Sequence, residues 1–216
     1  DADLDAAVSG ALQSKFRNAG QTCACANRIY AQAGIYDRFL QKLTAAAAAL
    51  KVGAGAEPGV DIGPLIDEKA VHKVREHIAD AKAKGARVLT GGEQHARGAR
   101  FFAPTVLADV TQQMLVSQEE TFGPLAPVFR FEDEEEVIRQ ANATPFGLAA
   151  YFYARDIGRV WRVAERIEAG IVGVNTGLIS TELAPFGGIK ASGLGREGSK
   201  YGIEDYLEIK YVCMGL

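Results

Sequence analysis

Phe16-Arg17-Asn18-Ala19-Gly20-Gln21-Thr22-Cys23-Ala24-Cys25-Ala26-Asn27 stands between an amphipathic helical pattern and a strand-like run. Cys23 therefore falls at a constrained helix-to-strand junction. Small residues flank its sulfur on both sides, and Arg17 stands shortly before it. That grouping suits a thiol that a substrate must approach, with a guanidinium at hand to hold an anionic group. The competing possibility is that Cys23 and Cys25 are small buried hydrophobes, as most free cysteines are.

Before this stretch, Leu4, Ala7, Val8, Ala11, Leu12 and Phe16 recur at helical spacing, which predicts a helix from about Asp3 to Asn18 ended by Gly20. After it, Arg28–Gln32 reads as a strand. A second helix carries Tyr36, Phe39, Leu40, Leu43 and Ala47 on one face. Lys51 to Pro64, rich in Gly and Pro, is a loop. A charged helix over Asp67–Lys84 presents Val71, Val74, Ile78 and Ala81, and Arg87–Thr90 is a short strand. Phe101–Val110 alternates, and Ala126–Phe131 is another strand. The acidic run Glu132–Glu136 is a solvated helix start, which favours acids. Leu148–Tyr153, the helix Ile157–Ile167 and the buried strand Ile171–Asn175 follow. Strands alternating with helices predict an α/β fold with a largely parallel sheet flanked by helices. Tyr206–Cys213 alternates as a C-terminal strand extension. With nothing after it to pair with, it would be an exposed edge unless a segment outside this sequence or another subunit covers it.

The 216 residues are enough to bury a core, and 48% hydrophobic with 24% charged residues is an ordinary globular composition. A net charge of −3 leaves no basic footprint for nucleic acid. No apolar run is long enough to span a membrane, and the opening Asp1-Ala2-Asp3-Leu4-Asp5 reads as a helix start rather than a signal peptide. The lack of an initiator Met suggests that something precedes the chain. Three cysteines make no disulfide framework, so a reducing, cytoplasmic compartment is expected.

Gly193-Leu194-Gly195-Arg196-Glu197-Gly198 matches a dinucleotide-binding pattern, but no apolar strand leads into it and too little chain follows for a βαβ unit. It reads as a turn cluster. His72, His77 and His95 have no ligand spacing with the cysteines, so no metal is expected.

Several separated words together resemble the aldehyde dehydrogenase superfamily. Phe16-x-x-x-Gly20-Gln21-x-Cys23 is similar to its cysteine signature. Glu119-Glu120-Thr121-Phe122-Gly123-Pro124, Asn175 followed by Pro185-Phe186-Gly187-Gly188, and Ser192-Gly193-Leu194-Gly195-Arg196-Glu197 match its later motifs in order. Within it, Lys15–Asn18, Cys23-x-Cys25, Asn175–Ser180 and Gly195–Glu208 look like the succinate-semialdehyde branch. The resemblance implies that Cys23 attacks an aldehyde as a thiolate, with its backbone N–H helping to bind the oxyanion. It implies that Glu120 and Phe122 hold the nicotinamide end of NADP or NAD, that Phe186 lines the aldehyde tunnel, and that Arg17 and Ser180 hold a distal carboxylate. It also offers Cys25 as a redox partner that could switch Cys23 off through a disulfide. Residues two apart on an extended segment point to opposite faces, whereas a loop lets them approach.

By the same resemblance, the cofactor-binding domain, the base for deacylation and the oxyanion asparagine belong to a segment preceding this one. The expected layout is a catalytic domain over 1–191, a connecting loop and helix over 192–204, and an oligomerisation strand over 205–216. The partners expected are a small aldehyde and further copies of the chain, as dimer or tetramer. The alternatives are a catalytically silent fragment of such an enzyme, or a dehydrogenase for another small (semi)aldehyde.

Overall fold

The computed structural model describes residues 1–215; Leu216, the last residue of the expected C-terminal strand segment, lies outside the described residues. The chain opens on helix α1 (Leu4–Phe16), whose first amides are capped by Asp3: its carboxylate accepts from Asp5 and Ala6 N–H at 3.1 Å each. A 3₁₀ turn over Arg17–Gly20 follows. Strand β1 (Ile29–Gln32) leads to α2 (Tyr36–Ala48), where Tyr36, Phe39, Leu40, Leu43 and Ala47 are all buried. Helix α3 (Glu68–Ala83) buries Val71, Val74, Ile78 and Ala81, and with them His77.

Next come β2 (Arg87–Thr90), β3 (Thr105–Val110), the short α4 (Leu115–Gln118) and β4 (Leu125–Phe131). They are followed by α5 (Glu134–Asn142), β5 (Phe146–Gly147), β6 (Ala149–Phe152), α6 (Ile157–Arg166), β7 (Ile171–Val174) and β8 (Ile189–Lys190). A 3₁₀ turn over Gly202–Tyr206 closes the sequence of elements.

The main sheet has four strands in the order β1-β4-β3-β2. β4 pairs in parallel with both β1 and β3, and β2 runs antiparallel along β3. β6 and β7 form a separate parallel pair, and β5 with β8 a short antiparallel one. The fold is thus α/β with mostly parallel pairing, as expected, but distributed over one sheet and two ladders. Phe101–Val110 differs from its expected alternation. Its strand starts at Thr105, and Val106, Leu107 and Ala108 are all fully buried. β3 lies between two neighbours with both faces covered, and such strands read as continuous apolar runs.

The acidic run behaves as the helix start that its composition suggests. Asp133 caps α5 by accepting from Glu136 N–H at 2.8 Å, and Glu134 pairs with Arg159 and Arg162 of α6.

The C-terminal strand does not form within this chain. Tyr206 ends the 3₁₀ turn, and no strand pairing is present over Leu207–Gly215. A strand exists only through ladder bonds to a partner, and no described element offers one. Tyr206, Leu207, Ile209, Tyr211, Val212 and Met214 are left exposed. Likewise, Gly193, Gly195 and Gly198 all take positive φ in turns, with no helix opening on them. The glycine-rich word is a turn cluster.

Candidate active site

The site is built where α1 runs out. The expected helix stops at Phe16, because Asn18, Ala19 and Gly20 all adopt left-handed backbone, with φ of 51°, 57° and 76°. Asn and Gly tolerate this region; Ala does so at a cost. The tight reversal buries Ala19 and brings Gly20 against the backbone of Gly123. Gln21 locks the far side: its side chain accepts from Ile66 N–H at 2.8 Å and donates to the carbonyls of Asn18 at 3.1 Å and Pro64 at 3.4 Å.

Cys23 follows on a four-residue turn closed by Cys25 N–H to Thr22 C=O at 2.9 Å. Its thiol is exposed. Among the described residues, neither its sulfur nor its backbone N–H has a hydrogen-bond partner, so both remain available to a substrate. Cys25 is half-buried, with Sγ 3.9 Å from the Arg17 carbonyl. Both cysteines are free thiols, and of the two expected arrangements the pair sits on a turn rather than an extended segment.

Arg17 stands just past the end of α1 rather than within it. It is exposed and, among the described residues, makes no ion pair and no side-chain hydrogen bond. The surface salt bridge that would account for it structurally is therefore missing. Ser180 is exposed on the loop after β7. That loop is seated on α1 through a glycine pair, since a Cβ at Gly177 would stand 2.8 Å from Gly10 Cα. Phe186 is half-buried and paired with Glu197 through two backbone hydrogen bonds of 2.8 Å.

Glu120 and Phe122 alternate with a buried Thr121. Both outer side chains are exposed, and Phe122 takes φ 51°. Thr121 is held from two directions. Its Oγ1 lies 2.9 Å from His77 Nδ1, and its N–H donates to Asn27 Oδ1 at 3.1 Å. Asn27 also donates to Glu119 C=O at 2.9 Å, so the last residue of the cysteine stretch clamps the acidic word directly. Burial raises the Glu120 carboxyl above the ordinary range, with Lys15 and Lys73 pulling the other way. Burial likewise lowers His77 below the usual histidine value against the opposing pull of Glu119, 3.4 Å from Nε2, so the ring is neutral at pH 7.

Sequence position alone assigns no role in the site to Lys15, Asn27, His77 or Tyr151. Lys15 is 1% exposed and has no ion-pair partner among the described residues; burial pushes its amine down to about 8, with Glu120 pulling the other way. Tyr151 on β6 donates to the Ala24 carbonyl at 2.8 Å. His77 carried a usable signal, falling on the face of α3 marked by Val74, Ile78 and Ala81. The other three did not. Among the described residues no helix is long and apolar enough to cross a membrane.

Comparison with known proteins identifies the family. The model of the aldehyde dehydrogenase family matches residues 1–212. The chain is 71% identical over all its 216 residues to the NADP⁺ succinate-semialdehyde dehydrogenase of Escherichia coli K12, covering 45% of that protein. It is 70% identical over 215 residues to a glutarate-semialdehyde dehydrogenase of Pseudomonas aeruginosa, covering 44% of it. The crystal structure of succinate-semialdehyde dehydrogenase from Burkholderia pseudomallei superimposes with a TM-score of 0.99 at 64% identity, over 100% of this chain and 45% of that one. The chain thus spans less than half the length of the relatives it matches.

Proposed function

The chain belongs to the aldehyde dehydrogenase family, and on that premise we propose that it is the thiol-bearing portion of an NAD(P)-dependent enzyme oxidising succinic semialdehyde to succinate. The observation that carries this is an exposed Cys23 on the turn reached directly from an exposed Arg17, both side chains without a partner among the described residues. Relatives named for succinate and glutarate semialdehydes, at 71% and 70% identity, support an aldehyde with a distal carboxylate. One methylene between such substrates is worth only about 1–3 kcal/mol of discrimination. The four-carbon substrate is preferred on the match of Arg17 and Ser180 to the branch's carboxylate-binding positions.

Cys23 attacks the aldehyde carbon as a thiolate, forming a C–S bond and placing negative charge on the former carbonyl oxygen. The free Cys23 N–H is positioned to donate to that oxygen, a contribution of about 3 kcal/mol for a preorganised donor. Arg17 offers a bidentate fork to the distal carboxylate, and Ser180 a further hydroxyl. Phe186 gives the aldehyde path an apolar wall.

Glu120 and Phe122 are the residues of this chain that would hold the cofactor. Their outward faces on either side of a doubly anchored Thr121 fit a carboxylate for ribose hydroxyls and an aromatic for the ring beside them. NADP or NAD held there would supply the hydride acceptor. Hydrolysis of the resulting Cys23 thioester releases the acid and restores the thiol. We assign the base for that step to the portion of such enzymes that this chain does not span, since it covers 45% of the length of the Escherichia coli relative. Residues 1–191 act as the catalytic domain and 192–204 as its connection. The segment 205–216, with its exposed Ile209 and Tyr211, pairs in a cytoplasmic homo-oligomer.

Arg17→Ala in the full-length enzyme tests the substrate assignment. Loss of a charge-assisted contact, about 1.5–3 kcal/mol, raises KM for succinic semialdehyde about 10- to 150-fold while a neutral aldehyde of similar size is little changed. Equal effects on the two aldehydes would remove the assignment.

A further inference from the structure

The peptide unit between Ala24 and Cys25 is held at both of its polar ends. Its N–H donates to the Thr22 carbonyl at 2.9 Å, closing the turn, and its C=O accepts from the Tyr151 hydroxyl at 2.8 Å. In a trans peptide these two groups point in opposite directions, so the two bonds together fix the rotation of the plane. That plane sets the direction of Cys25 relative to Cys23. With it held, Cys23 faces solvent, and Cys25 Sγ rests 3.9 Å from the Arg17 carbonyl. Ala24 is 3% exposed, so water does not readily replace the phenol.

We propose that Tyr151 is a positioning residue for the thiol pair: its hydroxyl locks the Ala24–Cys25 peptide plane, keeping Cys23 singly presented and restraining the two sulfurs from joining. Its importance for aldehyde oxidation rests on the assignment of Cys23 as nucleophile; the restraint on the thiols does not. Burial pushes the Tyr151 phenol up to about 12, so it stays a donor throughout the range in which thiols ionise. Tyr153, on the same face two residues on, provides an internal contrast. Its buried hydroxyl has no hydrogen-bond partner among the described residues and so holds nothing in this way.

The test uses the purified 216-residue chain in a Cys213→Ser background, because Cys213 is a further exposed thiol beside Cys23. Limiting iodoacetamide, read per site by peptide mass spectrometry, gives the ratio of Cys23 to Cys25 alkylation. Substoichiometric hydrogen peroxide gives the second readout. One thiol takes an oxygen from peroxide to form a sulfenic acid and one water. The other thiol then displaces a second water to form the disulfide. Tyr151→Phe should lower the alkylation ratio and raise disulfide yield by about fivefold each, the factor carried by one net hydrogen bond. Tyr153→Phe should change neither and should melt as the parent does, while Tyr151→Phe should melt within about 5 °C of it.

The proposal is overturned if Tyr151→Phe leaves both readouts within about 1.5-fold of the parent, or if Tyr153→Phe moves them equally, which would mark general loosening. No aldehyde or cofactor enters either assay, so failure of the dehydrogenase assignment leaves this outcome separately readable.

Discussion

Gly20→Ala probes the contact on which the site depends, the docking of the cysteine turn onto the Glu119–Pro124 word. Two costs can be worked from the structure. Gly20 has φ +76°, and holding an L-residue there costs about 1–2 kcal/mol. The added Cβ would also stand 2.6 Å from Gly123 C, closer still to its oxygen, and 3.2 Å from the Lys15 carbonyl. Both neighbours are backbone and cannot rotate aside, so overpacking adds about 1–3 kcal/mol. The sum is about 3 kcal/mol, and for a slope of about 3 kcal/mol/M in urea the unfolding midpoint falls by about 1 M. Gly85→Ala is the matched control. It shares a positive φ, +99°, but its Cβ meets nothing within 4 Å, so only the backbone cost of about 1–2 kcal/mol applies. Urea unfolding of both purified variants decides the matter. A midpoint for Gly20→Ala no lower than for Gly85→Ala would mean that the Gly20–Gly123 approach does not constrain the turn.

Lys15→Met should stabilise the chain at pH 7 by up to about 3 kcal/mol, from a buried amine lowered from 10.5 to about 8. Below pH 8 the folded state carries the full penalty of a buried cation. Between pH 8 and 10.5 it releases the proton while the unfolded chain keeps it, so parental stability rises with pH over that window. The difference between parent and variant in urea unfolding should shrink from pH 7 to pH 10, and a constant difference would refute the account. Asn27→Ala removes the bonds to Glu119 C=O and Thr121 N–H, costing about 2 kcal/mol of stability. In the full-length enzyme it should raise KM for the cofactor more than KM for the aldehyde; the opposite order in steady-state kinetics would detach Asn27 from the cofactor word. The purified 216-residue chain should show no NAD(P)-dependent oxidation of succinic semialdehyde above background, and measurable turnover would place the missing base within these residues.

What the sequence made legible follows from the range of each interaction. The faces of α2 and α3 repeat every few residues, so their buried sets could be read directly, and Cys23 with Arg17 lay in one short stretch. Tyr151 and Ala24 are 127 positions apart, and Asn27 and Glu119 are 92 apart. No periodicity links such pairs, and a tyrosine in an apolar strand reads as core until its hydroxyl is seen to find a carbonyl. Asn18 and Gly20 could signal a left-handed turn, but Ala19 between them could not, and its 1% exposure shows why the conformation persists. Burial of its methyl offsets part of the backbone cost. The C-terminal alternation is legible for a related reason only in part, since side-chain pattern specifies a strand's faces but not its partner, and none of the described residues supplies one.

These long-range contacts explain why the cysteine stretch and the acidic word behave as one unit. A thiol adduct and a hydride acceptor must meet at a fixed separation, and small misplacements cost heavily in rate. Here Gly20 abuts Gly123, Asn27 bonds both Glu119 and Thr121, and His77 secures Thr121 from the opposite helix. Phe122, at φ 51°, is held in a conformation that an isolated loop would relax. The residue proposed to sit beside the cofactor is therefore placed by the same stretch that presents Cys23, the proposed nucleophile. A change on either side of that contact should be felt by both substrates at once.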